Sequence, residues 1–93
     1  MSGLDGHEPV TLPITGELDL HTFRPSDLGE LIPAYLDACA DRGLREVRII
    51  HGKGTGALRE RVGEILRDDR RVRSFRLGAW NEGGAGVTIA EIA

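Results

Sequence analysis

Three short stretches hold the side chains that could do chemistry. The first is Leu18-Asp19-Leu20-His21, where an acid and an imidazole stand two residues apart. On an extended segment that spacing puts both on one face, where the carboxylate can orient the ring for proton transfer. The second is His51-Gly52-Lys53-Gly54-Thr55-Gly56. Its second histidine opens a glycine turn whose free N–H groups, set at a helix N-terminus, suit a phosphate, with Lys53 supplying charge. The turn lacks the Gly-Lys-Ser/Thr ending of a Walker A loop, and its third glycine comes one place early for a dinucleotide fingerprint. The third stretch is Gly83-Gly84-Ala85-Gly86, whose glycines allow a backbone to approach a ligand closely, or simply form a hairpin. Asp19, His21 and His51 could together hold a divalent metal, although no cofactor is expected. No group of several carboxylates is present for two-metal nuclease chemistry.

Periodicity indicates how these stretches are carried. Leu18 to His21 alternates as a short strand, preceded by an extended edge segment, Val10 to Ile14, that includes Pro13. Leu28, Leu31, Ile32, Tyr35, Leu36 and Cys39 mark one helix face, with Ser26 as N-cap, Gly43 as the stop and a kink or a distorted first turn from Pro33. Glu46 to His51 reads as a second strand. Leu58, Val62, Ile65 and Leu66 mark a second helix, capped by Thr55, and Val72 to Leu77 and Val87 to Ile92 are two more strands. The order β-α-β-α-β-β predicts a two-layer α/β sandwich: a mixed, mostly parallel four-stranded sheet with both helices on one face and the last strand antiparallel. Ligands of such sheets bind beyond the carboxyl ends of the parallel strands. All three stretches fall at that edge.

Composition sets the outer limits. The chain has 93 residues, 40% apolar and 29% charged, with four aromatic side chains: Phe23, Tyr35, Phe75 and Trp80. That is one small domain, which buries roughly 60–65% of its unfolded surface and leaves an open shelf in place of a closed chamber. Residues 1–9 read as a disordered leader and 10–93 as the domain. No stretch has the length of a membrane span or the pattern of a signal peptide, so a cytoplasmic location is expected. The lone Cys39, at a helix-face position, reads as a buried thiol. A monomer is the expectation, with the oligomeric state left open.

The net charge of −3 hides a division along the chain. Residues 1–41 carry eight acids against Arg24 alone, whereas residues 42–76 carry eleven of the twelve Lys and Arg residues. Such a block can present a basic face to an anionic polymer despite the negative total, or can be dispersed among helix-face ion pairs.

The three stretches, taken in order, resemble the small MutS-related (Smr) domain, here as a stand-alone protein, over about residues 10–93. The resemblance implies a fold similar to the C-terminal domain of translation initiation factor three. It also implies nucleic-acid binding, to RNA or DNA, and in several members endonuclease activity. Asp19, His21 and His51 then become the catalytic candidates. Gly52, Lys53, Gly54, Thr55, Gly56, Arg59, Gly83, Gly84 and Gly86 become the candidates for holding nucleic acid or phosphate. Thr22 stands where the family commonly has glycine after the first histidine. A non-catalytic nucleic-acid-binding or protein-interaction module is the alternative.

Overall fold

The computed structural model describes residues 12–93. Four strands, β1 (Glu17–Asp19), β2 (Glu46–Ile50), β3 (Val72–Leu77) and β4 (Val87–Ile92), form one mixed sheet. Two helices, α1 (Leu28–Asp41) and α2 (Ala57–Asp68), connect β1 to β2 and β2 to β3. The sheet order is β1-β2-β4-β3. β1 and β2 pair in parallel, while β4 runs antiparallel to both β2 and β3. β1, β2 and β3 therefore point the same way, with the last strand inserted between the second and third. The expected edge segment, Val10 to Ile14, falls partly outside the described residues. Leu12 and Ile14 pack against the core without pairing as a strand.

Alternation decides which side chains meet the helices. Leu18 and Leu20, Val47 and Ile49, and Ala90 and Ile92 point into the helix layer, against Leu28, Ile32, Leu36, Val62, Ile65 and Leu66. Fully burying each such aliphatic side chain contributes about 1.5–3 kcal/mol. Cys39 is fully buried among them, and desolvation pushes its thiol up from the ordinary value. Tyr35 reaches the sheet edge, where its hydroxyl donates to the Glu17 carbonyl at 2.9 Å and accepts the Gly16 N–H at 3.2 Å.

The helix ends correct two expectations, the caps. α1 is entered through a 3₁₀ turn, Pro25–Asp27, and Ser26 does not cap it. The Asp27 carboxylate instead accepts the Arg24 N–H at 2.8 Å, because that turn points it back toward the incoming chain. The helix runs on through Pro33 to Asp41, so the distortion lies in the entry turn. At its end Gly43 has φ +75°, and the Leu44 and Gly43 N–H groups return to the Cys39 and Ala40 carbonyls, a Schellman stop. Gly56 (φ +88°), not Thr55, occupies the cap position of α2. The Thr55 hydroxyl accepts the Ala57 N–H one residue further on, at 3.3 Å.

Candidate nucleic-acid interface

All three stretches lie at one edge of the sheet. Parallel pairing sets Asp19 opposite Ile50, and the Leu20 N–H continues to the Ile50 carbonyl at 2.9 Å, so β1 and β2 end together. β4 begins there too, because it runs the opposite way. The His51 and Gly52 N–H groups both donate to the Gly86 carbonyl, at 3.0 and 2.9 Å. A Cβ on Gly86 would meet Gly52 Cα at 3.5 Å and Lys53 Cγ at 3.3 Å. The two glycine turns thus pack backbone against backbone, with Lys53 laid across the second.

Asp19 and His21 pair, though not by strand alternation. β1 stops at Asp19, and the chain turns with the Phe23 N–H on the Leu20 carbonyl at 2.9 Å. Asp19 Oδ1 accepts the His21 backbone N–H at 3.0 Å and lies 3.0 Å from His21 Nδ1. A carboxylate only accepts, so Nδ1 carries the proton and Nε2 is left open. The His21 backbone N–H, and after it the ring, hold the Asp19 carboxyl below its ordinary value. His21 is 76% exposed and Asp19 52%. Thr22 has negative φ, so the backbone at that position does not require glycine.

His51 is built differently. It continues the inward alternation of Val47 and Ile49 and is buried, while Asp19 points to the opposite face of the sheet. Its Nδ1–H donates to the Gly52 carbonyl at 3.0 Å, and Nε2 lies 2.8 Å from the Thr88 hydroxyl. Both ring nitrogens are engaged. Asp19, His21 and His51 therefore share an edge without converging. Among the described residues no three His, Cys, Asp or Glu side chains come together as a metal site.

The turn after His51 forms a shallow cavity of about 90 Å³, lined by Gly52, Gly54, Thr55, Gly56 and Arg59. It lies at the N-terminus of α2, where free N–H groups and the helix dipole favour an anion. Lys53 and Arg59 make no ion pair among the described residues. Elsewhere the basic block is divided. Arg71 bonds Asp37, Asp69 and the Pro33 carbonyl, tying β3 to α1, and Arg61 pairs with Glu64. Arg67 lies 6.0 Å from the centre of the Phe75 ring. A wider cavity of about 250 Å³ runs from Arg59 past Arg67 and Phe75 to Leu77.

Sequence reasoning missed what holds the third stretch. Glu82 accepts two bonds from Arg76, at 2.7 and 3.0 Å, and one from the Ala79 N–H at 2.8 Å. The Arg76 guanidinium drives the Glu82 carboxyl down to about 2. Arg48 spans from the Glu17 carboxylate to the Glu82 carbonyl. Gly83 has φ +103°, and a Cβ there would come within 2.4 Å of Val87 Cγ2. Only the odd placement of Glu82 before Gly83-Gly84 hinted at such a fastening.

Fold and edge together define a two-layer α/β domain with an open edge made of strand ends and paired glycine turns. The structure is similar to the crystal structure of the Smr domain of Thermus thermophilus MutS2, with TM-score 0.79, 39% identity and coverage of 83% of this chain and 96% of that one. It also shares the fold of YdaL, a stand-alone small MutS-related protein from Escherichia coli, with TM-score 0.78 and 22% identity over 89% of this chain and 68% of that one. In sequence it is 54% identical over 88 residues to Endonuclease MutS2 of Gemmatimonas aurantiaca, and 53% identical over 76 residues to that of Symbiobacterium thermophilum. These matches cover 95% and 82% of this chain but 11% and 10% of the relatives, so the chain spans about a tenth of their length. Residues 18–93 match the Smr domain family, and the chain belongs to it. No helix among the described residues is long and apolar enough to cross a membrane.

Proposed function

We propose that this domain binds RNA or single-stranded DNA on the shelf and cleaves RNA phosphodiesters with His21 as the proton-transfer group. The observation that carries the reading is the Asp19–His21 pair, exposed at the same edge as the turn bearing Lys53. Asp19 fixes the ring with Nε2 outward, where it can take the proton of a ribose 2′-hydroxyl as that oxygen attacks phosphorus. The P–O bond to the 5′-oxygen breaks, and that oxygen takes a proton from water on the open shelf. Lys53, Arg59 and the amides of residues 52–56 receive the phosphate and stabilise the charge that gathers on it. Gly83, Gly84 and Gly86 keep the second turn low enough for a backbone to approach. His51, with both nitrogens engaged, is a positioning residue: it holds the turn to β4 through Thr88.

The test is incubation of the purified protein with labelled RNA and DNA, with and without EDTA. This route produces 5′-hydroxyl and cyclic-phosphate ends on RNA, unaffected by the chelator. Chelator-sensitive cleavage leaving 5′-phosphates would overturn the metal-free route. Binding without cleavage of any substrate would reduce the domain to a non-catalytic nucleic-acid-binding module.

A further inference from the structure

Trp80 is the only tryptophan in the chain, and its side chain is 91% exposed. Tryptophan is highly buried on average, so an indole left in water stands out, and its setting supplies a reason. It opens the 3₁₀ turn Trp80–Glu82 in the loop between β3 and β4. That loop is fixed in place. The Ala79 carbonyl accepts the Glu82 and Gly84 N–H groups at 2.8 and 2.9 Å, and Arg76 and Arg48 grip Glu82 from the sheet. The same loop touches the phosphate turn, since a Cβ on Gly84 would lie 4.0 Å from Lys53 Nζ. An exposed aromatic face on a fastened loop therefore stands one loop turn from the Lys53 ammonium group, which makes no ion pair among the described residues.

We propose that Trp80 is a stacking platform for an unpaired base of the strand whose phosphate is held by Lys53 and Arg59, making the shelf selective for single-stranded over duplex nucleic acid. This rests on the nucleic-acid reading above. Single-strand binders combine a basic track with aromatic faces, and every base offers a π-face to stack on, whereas paired bases are already stacked within the duplex. Protein docking fits less well. Leu77 and Trp80 are the only large apolar side chains exposed among the described residues, too few for the central cluster of a protein interface. Because the loop is already fastened, stacking orders only one side chain.

As the sole tryptophan, Trp80 is also its own probe. Its fluorescence is followed while the protein is titrated with a single-stranded oligonucleotide, an abasic strand of the same length and a duplex, with binding of each measured by electrophoretic mobility. The single strand quenches the indole; the abasic strand and the duplex bind without comparable quenching. Trp80→Ala weakens single-strand binding by about tenfold to a hundredfold and leaves abasic and duplex binding unchanged, and Trp80→Phe restores most of the loss. Equal quenching by all three, or unchanged single-strand affinity in Trp80→Ala, would overturn the platform while leaving the nucleic-acid reading standing. Absence of binding to any of the three would overturn both.

Discussion

The two histidines belong to similar-looking stretches and end in opposite circumstances. His21 is turned out, held at one nitrogen by Asp19 and open at the other. His51 is buried, with one nitrogen on the Gly52 carbonyl and the other beside Thr88. On the reading proposed above, the first is the proton-transfer group, its Nε2 open to a substrate hydroxyl, and the second a positioning residue, its Nε2 buried against Thr88. Standing near the end of a strand does not tell which of the two a histidine does.

The sharpest way to break this contrast is to remove each ring separately. His21→Ala should lower the cleavage rate by about 10²–10⁴ while shifting stability by less than about 0.5 kcal/mol. His51→Ala should destabilise the domain by about 1–3 kcal/mol in urea denaturation, since it strips Thr88 of a buried partner. If His51→Ala matched His21→Ala in lost rate with stability intact, the assignments would be reversed.

Charge gives the next effect. Lys53→Ala with Arg59→Ala should flatten the logarithmic salt dependence of single-strand binding by roughly 1.4, as two phosphate contacts disappear. Arg71→Ala, whose guanidinium is bound to Asp37 and Asp69, should leave that slope alone and lower stability. Salt titration of the two variants separates ligand-facing from architectural arginines as the first pair separates the histidines.

The smallest effect is at the loop fastening. Glu82 is depressed to about 2 from an ordinary value of 4.5, so its tie to Arg76 contributes fully above about pH 4.5 and is lost as pH falls toward 2. Thermal melts of wild type and Glu82→Gln should differ slightly at pH 6 and converge by pH 2, the tie being solvent-exposed. A constant difference across that range would show that the carboxylate's charge is not what fastens the loop.

Much of this was legible in the sequence because local patterns decided it. The spans of β3 and β4 follow from alternation and flanking glycines, and the apolar face of α1 follows from its 3.6-residue spacing. The Asp19–His21 pair was legible because its partners are two residues apart. Strand order was harder, because insertion of β4 depends on pairings across forty residues of chain. A signal did exist: five of the six residues of Val87–Ile92 are buried, and a run apolar on both faces belongs in the middle of a sheet. The engagement of His51 was invisible for the same reason, Thr88 being 37 residues away. The Ser26 cap failed because Ser26 lies inside the 3₁₀ entry turn, which moves the cap position of α1 to Asp27.

The central place of β4 also governs how the domain comes into being at the ribosome. Its residues follow those of the other three strands along the chain, yet β2 and β3 have no contact as neighbours except through them. Until Ile92 has cleared the exit tunnel, the nascent chain holds one short parallel pair and an orphan strand, and the helix layer lacks Ala90 and Ile92 to pack against. At about 5–20 residues per second, residues 72–92 take a few seconds at most to appear. The domain then closes in a single late event, and a message truncated before Val87 yields a chain for the proteases instead of a partial domain.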